Sequence, residues 1–181
     1  MRMDCFARIH RPREGGGRTS VRRHMRIKAL LYSDGSERSL SAAIYAAALM
    51  KGNPHMTLTI ISCNRPASGA AGVVWDEGWS APGAVRGISE AMLREARKVF
   101  EDRDMAVETR AVACGDRLAE EIAACAREGN FNLVIMGTKG PSDLRALVLG
   151  SVAHQVVHLS DRPVLLVKKL PPEILAMLDD D

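Results

Sequence analysis

Aromatic side chains make up only 4% of this 181-residue chain. Its interior must therefore be filled by aliphatic residues and alanine rather than by stacked rings. Long apolar runs are missing as well. None approaches the ~20 residues that cross a bilayer, and the N-terminus holds no apolar segment of the ~7–15 residues that a secretory signal needs. The expectation is a cytoplasmic protein. Paired-cysteine motifs are a third absence: Cys5, Cys63, Cys114 and Cys125 form no CxxC. Cys63 falls in an apolar strand pattern and Cys125 in an apolar helix stripe. The spacing reads as structural thiols in a reducing compartment, with zinc or a disulfide as the alternatives.

What remains is ordinary globular material. Hydrophobic residues are 46% and charged residues 26%, enough for one domain with a full core plus tails. The formal charge of +3 is unevenly spread. Residues 1–28 hold nine Lys/Arg against Asp4 and Glu14, whereas the remainder holds sixteen against twenty acids. Residues 1–24, with Gly15 to Gly17 and scattered arginines, lack apolar periodicity and are expected to be disordered. Such an arm is either a solvated tail or an attachment to nucleic acid or an anionic membrane; no aromatic interleaving or nucleic-acid motif supports the second reading. Met25-Arg26-Ile27-Lys28 looks like a start directly before the first strand.

From Ile27 onward, strand and helix patterns alternate. Ile27 to Ser33 reads as a buried strand ending in Asp34-Gly35-Ser36. Ser36 is a helix N-cap, followed by Leu40, Ile44, Ala47 and Ala48 at helical spacing as far as Gly52-Asn53-Pro54. Leu58 to Ser62 is a second strand. Cys63 to Arg86 reads as a Gly-, Ala- and Pro-rich loop carrying Trp75 and Trp79, either a ligand-stacking lid or a surface insertion. Ile88, Met92, Ala96, Val99 and Phe100 share one face of the next helix, opposite Arg94, Glu95, Arg97, Lys98 and Glu101. Val107 to Ala113 alternates as a half-exposed edge strand does. Gly115-Asp116 opens a helix with Leu118, Ile122, Cys125 and Ala126 inward, closed by Gly129-Asn130. Leu133 to Met136 is a buried strand, Ser151 to about Leu159 a helix, and Pro163 to Val167 the last strand. In the tail from Leu170, the residues Ile174, Leu175 and Leu178 are set to pack on the domain or on a partner. Strand and helix repeated four times before a final strand predict a doubly wound α/β fold, a parallel sheet with helices on both faces.

The stretch between the fourth strand and its helix carries the chemistry. Gly137-Thr138-Lys139-Gly140 lets the main chain approach an anion, and the helix that starts at Gly150-Ser151 presents free N–H groups and a positive dipole end. Ser151 is placed to cap that helix or to bond a phosphate oxygen. The plainer reading is a pair of glycines that only turn the chain. In doubly wound sheets, ligands bind beyond the C-terminal strand ends where strand order reverses. If the first strand lies beside the fourth, Tyr32-Ser33-Asp34-Gly35 faces this stretch. A carboxylate can then take sugar hydroxyls or a base N–H while the glycine turn takes phosphate. A nucleotide has both ends. His154 and His158, four apart, share a helix face; they are either a metal pair or polar surface, and their string lacks the Glu of HExxH.

Gly137-x-x-Gly140, nine residues, then Gly150-Ser151 resembles the G-2x-G-9x-G-S/T signature of the ATP-binding branch of the universal stress protein family. Ser33-Asp34-Gly35-Ser36 resembles its first-strand turn, Gly115-Asp116 before Ala119-Glu120-Glu121-Ile122 its helix start, and Pro163-Val164-Leu165-Leu166-Val167 its terminal strand. The resemblance covers Arg26 to about Lys168. It implies a Rossmann-like, HUP-type, five-stranded parallel sheet of order 3-2-1-4-5, with the family domain at 25–169 between an extension at 1–24 and a tail at 170–181. It also implies ATP between strands 1 and 4, often with a homodimer through strand 5. Carried over by position, Asp34 holds the adenosine end with Tyr32 and Ser33 alongside, and the Cys63 backbone meets adenine. Gly137 passes the ribose, while Gly140, Gly150, Ser151 and Val152 contact phosphates in the loop that includes Thr138 and Lys139. Ser151 is also placed for an indirect contact to Mg²⁺ or Mn²⁺. Two departures stand out: Pro141 replaces a residue that is often basic, leaving Lys139 or Arg145 to supply charge, and Tyr32 replaces a small residue or proline.

The implied function is an ATP-dependent regulatory or sensor module of the stress response that signals to a protein partner. AMP or cyclic AMP as ligand, slow ATP hydrolysis or phosphoryl transfer, and a nucleotide-independent scaffold stay open. No catalytic residue is assigned. Asp34 and Asp143 are the only acids in the candidate loops, and phosphoryl transfer needs a metal-holding carboxylate and a group that orients the nucleophile.

Overall fold

The computed structural model describes residues 26–64, 82–114, 117–139 and 149–179. The basic segment, Trp75 and Trp79, Gly115-Asp116, and the stretch with Gly140, Pro141, Asp143 and Arg145 lie outside the described residues. Strands and helices alternate as β1 (Lys28–Tyr32), α1 (Glu37–Gly52), β2 (Thr57–Asn64), α2 (Pro82–Glu101), β3 (Glu108–Ala113), α3 (Leu118–Glu128), β4 (Leu133–Gly137), α4 (Ser151–Leu159), β5 (Val164–Val167) and α5 (Pro172–Asp179).

The strands make one parallel sheet in the order β3-β2-β1-β4-β5. Leu31 of β1 pairs with Ile60 on one side and with Ile135 on the other. The chain therefore reverses its direction of travel across the sheet between β1 and β4, and their C-terminal ends flank the switch point. Both faces of these central strands are covered, which is why they read as continuous apolar runs. Alternate residues feed two cores. Leu31, Ile60 and Ile135 meet α1 and α2 through Ala43, Ala46, Ala96 and Phe100. Leu30, Ile61 and Val134 meet α3 and α4 through Ile122, Ala126, Ala153 and Val156.

The buried stripe of α1 differs from the expected one. It consists of Ser39, Ser41, Ala42, Ala43, Ala46 and Ala47, with Leu40 and Ile44 only half-buried. Small side chains let the helix lie low on the sheet, and the larger ones are displaced to its flanks. In α2, Leu93 joins Ala96 and Phe100 inside, while Arg94, Glu95, Arg97, Lys98 and Glu101 stay exposed as expected. Ile88 falls where only the backbone is described. The helix starts at Pro82, within the stretch read as loop, because proline is already set for a first helical turn. The C-terminal stretch is helical as well: α5 packs on α1, and the Leu170 N–H donates to Ser41 Oγ at 3.2 Å. Among the described residues no helix is long and apolar enough to cross a membrane.

Cys63 and Cys114 are joined in a disulfide, which corrects their reading as unpaired thiols. Sheet register is the reason. Cys63 pairs with Val112 across β2 and β3, and Cys114, two residues further on, has its Cα 5.5 Å from that of Cys63, within bridging reach. A pair 51 residues apart leaves no local spacing signal. Cys125 is free and half-buried on α3, and burial pushes its thiol pKa up.

A crosslink across a 51-residue separation removes about 4 kcal/mol of loop-closure entropy from the unfolded chain in the chain-entropy account. Urea unfolding with and without a reductant is expected to show a loss of about that size. An unchanged midpoint contradicts it.

Candidate functional site

The turn from β1 into α1 is built by its own polar groups. Asp34 Oδ1 accepts the Ser36 N–H at 3.0 Å, which orients the carboxylate. Ser36 Oγ accepts the Ser39 N–H at 3.2 Å and so caps α1, as its identity suggested. Ser39 Oγ donates to the Ser36 carbonyl at 2.8 Å and lies 3.4 Å from the buried Ser33 Oγ. The Ser33 N–H donates to the Ile61 carbonyl at 2.9 Å, tying the turn to β2. Gly35 has φ +72°, a left-handed conformation that side chains disfavour.

The facing turn leaves β4 at Gly137. A Cβ placed there would lie 2.9 Å from the backbone C of Arg38 and 2.9 Å from the N of Ser39. The glycine is required because α1 passes directly over it, a reason independent of any ligand. The Thr138 N–H donates to the Val167 carbonyl at 2.9 Å, and the Gly150 N–H donates to the Thr138 carbonyl at 2.8 Å. These bonds return the chain to the end of β4. Ser36 Oγ donates to the Lys139 carbonyl at 3.4 Å and so joins the two turns.

The N-cap of α4 is Gly150, and no side chain caps it. Ser151 is the first helical residue, with its side chain exposed, so of the two roles expected for it capping is excluded. The helix accordingly presents first-turn N–H groups and a positive dipole end that no cap side chain among the described residues satisfies.

A cavity of about 260 Å³ joins these parts, lined by Tyr32, Asp34, Ser39, Met136, Gly137, Lys139, Gly150, Ser151, Val152 and Ala153. Seven of the eleven residues picked from the sequence are among them. Ser33 and Thr138 lie buried beside it, with their backbones holding the two turns. Cys63 stands one strand away in the disulfide, and Gly140 lies outside the described residues. Ser39, Met136 and Ala153 were not picked. Met136 and Ala153 carried no signal beyond burial, whereas the capping serine three residues before Ser39 was a usable hint. Asp34, Lys139 and the start of α4 at Ser151 and Val152 all line the cavity, so a carboxylate, a cation and a helix N-terminus share one space. His154 and His158 stack edge-on with ring centroids 4.6 Å apart, exposed on α4. Among the described residues no three His, Cys, Asp or Glu are grouped to hold a metal.

The profile of the Universal stress protein family matches residues 25–168. The chain belongs to the universal stress protein family. It is 30% identical over 156 residues to Universal stress protein YxiE of Bacillus subtilis, covering 78% of this chain and 98% of that one. It is 28% identical over 143 residues to Universal stress protein MJ0531 of Methanocaldococcus jannaschii, covering 78% and 82%. Among solved structures, the universal stress protein from Archaeoglobus fulgidus superposes with a TM-score of 0.59 at 17% identity over 78% of this chain and 93% of the other. A universal stress protein in complex with cAMP gives a TM-score of 0.58 at 23% identity over 80% and 98%. The Archaeoglobus fulgidus protein in complex with dAMP gives 0.57 at 16% identity over 80% and 99%. These likenesses bear out the Rossmann-like architecture and its strand order.

Gly137→Ala is expected to destabilise this universal stress protein by about 1–3 kcal/mol, because backbone and not a mobile side chain would have to yield. Gly35→Ala, strained in φ, is expected to cost about 1–2 kcal/mol. Gly52→Ala, with nothing within 4 Å of its Cβ, is the neutral control. Urea unfolding of the three variants checks the ranking.

Proposed function

We propose that this universal stress protein binds an adenine nucleotide, ATP foremost, in the cavity between β1 and β4, and acts as a nucleotide-dependent regulatory or sensor module. The observation that carries this reading is one cavity lined by a carboxylate, a lysine and a helix N-terminus. Asp34 Oδ1 is held by a backbone N–H, and the carboxylate faces the space where a ribose or base would place its donors. Lys139 and the uncapped start of α4 line the same space and suit phosphate. Tyr32 and Met136 supply the apolar wall. The volume, about 260 Å³, falls just below the span of small-molecule pockets, roughly 300–1,000 Å³. Micromolar affinity needs ~8 kcal/mol, and each anion contact at a helix end supplies ~0.3–2 kcal/mol, so several amides acting with one cation are required. Relatives crystallised with cAMP and with dAMP support the ligand class.

Mg²⁺ or Mn²⁺ would arrive on the phosphates, since Mg²⁺ is generally held by phosphates, waters and one or two carboxylates rather than by a protein cage. The exposed Ser151 hydroxyl fits an indirect contact. Asp34 is assigned to the sugar and no general base is proposed, so the reading is of a binding module rather than of an efficient ATPase. Occupancy would be passed to a protein partner in the cytoplasm. A homodimer is part of the proposal: β5 is a sheet edge that pairs only with β4 among the described residues, open to a second copy.

Calorimetric titration with ATP, AMP and cyclic AMP tests this directly. ATP is expected to bind with a micromolar Kd, and Asp34→Asn to weaken binding about 10- to 100-fold, the cost of losing hydrogen bonds to a charged acceptor. Heat from none of the three nucleotides sinks the proposal, and phosphate release at catalytic rates replaces it with an enzyme.

A further inference from the structure

The disulfide lies at the same rim of the sheet as the cavity, and the nucleotide reading makes no use of it. It joins the penultimate residue of β2 to the residue following β3. Two contacts lead from there to the cavity. Tyr32, which lines the cavity, belongs to the apolar cluster that contains Cys114 and against which Cys63 packs. Ser62 Oγ, the neighbour of Cys63, lies 3.6 Å from Met92 Sδ. A Cβ at Gly35 would in turn lie 3.0 Å from Met92 Cγ, so Met92 sits directly beneath the turn that positions Asp34. The Ser33 N–H bond to the Ile61 carbonyl adds a direct tie from β2 two residues before the bridge.

We propose that Cys63–Cys114 is a thiol–disulfide exchange site whose oxidation state sets the affinity of the adjoining cavity. The coupling rests on the nucleotide reading; the exchange chemistry does not. The two cysteine residues are unequally accessible: Cys114 is 2% exposed, whereas Cys63 is half-buried. A dithiol reductant therefore attacks at Cys63 Sγ. Its thiolate forms a mixed disulfide with Cys63 as the original S–S bond breaks, and Cys114 leaves as a thiolate and takes a proton. The reductant's second thiolate then displaces Cys63, which is protonated in turn, and the reductant departs as a cyclic disulfide. Two electrons and two protons pass to the protein. With the bridge open, the edge strand β3 keeps its ladder to β2 and its packing on α2, and the wall formed with Tyr32 loses its crosslink. The oxidised form is the tight-binding one. Such a bridge persists in an oxidising compartment and is transient, hence informative, in a reducing one.

The test uses the full chain purified without reductant, titrated with ATP, AMP and cyclic AMP before and after dithiothreitol, with far-UV circular dichroism recorded on both forms. Before reduction, thiol counting is expected to find Cys5 and Cys125 alone; after it, Cys63 and Cys114 as well. Reduction is expected to weaken nucleotide binding about 5- to 50-fold, within the usual span of coupled sites. The double variant Cys63→Ser, Cys114→Ser should bind as the reduced protein does and ignore dithiothreitol. By linkage, nucleotide should shift the dithiol–disulfide equilibrium constant by the same factor. Equal affinity in both states overturns the coupling and leaves the nucleotide reading standing. Loss of the helical signal on reduction also overturns it, because the bridge would then be purely structural. No binding in either state rejects the nucleotide reading, and the coupling with it. All four cysteines titrating without reductant overturns the exchange site.

Discussion

The cavity exists because α1 and the end of β4 touch without a side chain between them. At Gly137 a single added carbon would meet the backbone of Arg38 and Ser39 at 2.9 Å. That approach brings the first strand–helix turn against the fourth, so that Ser36 can reach the Lys139 carbonyl and Ser39 can face the cavity. The same constraint continues along α1, whose buried stripe is serine and alanine. A leucine in that stripe would hold the helix off the sheet and part the two turns. The scarcity of aromatic residues thus has a geometric meaning: the core is thin where the site needs it to be.

Two helices, α1 and α4, begin at the cavity, and their ends are treated in opposite ways. The first turn of α1 is satisfied internally, with Ser36 accepting from Ser39 and Asp34 accepting from Ser36. An anion there would have to displace a side chain already in place. The start of α4 has Gly150 at its cap and no side-chain cap among the described residues. The carboxylate of Asp34 and the N-terminal end of α4 consequently line one and the same cavity. A ligand that complements both must carry hydrogen-bond donors as well as negative charge.

Much of this was legible in the chain. The strand runs were readable because central parallel strands are buried on both faces, as Ala29-Leu30-Leu31 and Val134-Ile135 are. The Ser36 cap and the exposed face of α2 were readable because they depend on local sequence. What could not be read depended on neighbours distant in the chain. Of the set Leu40, Ile44, Ala47 and Ala48 that marked α1 as a helix, only Ala47 is fully buried, because clearance over the sheet favours alanine and serine. Gly137 was assigned to a ligand, although its tightest demand comes from α1. The Cys63–Cys114 bond depends on a register between β2 and β3 that no spacing reveals. The helix α5 was not read because its apolar set, Ile174, Leu175 and Leu178, is too short to mark a period; it starts at Pro172, a position where proline is well tolerated.

Stiffness at the site is distributed across the sheet. The Ser33 N–H is held by Ile61 of β2, and the Thr138 N–H by Val167 of β5. Each turn of the cavity is thus anchored to a strand outside the β1/β4 pair, by one backbone hydrogen bond on each side. A displacement of the C-terminal end of β2 therefore reaches Ser33 before any side chain moves, and Asp34 is the next residue along. On the other side, β5 is itself a sheet edge, so pairing with a second copy there would act on Thr138 through Val167. Both strands that flank the β1/β4 pair consequently have a short backbone route to the cavity: β2 by way of the turn that carries the carboxylate, β5 by way of the turn that carries the cation.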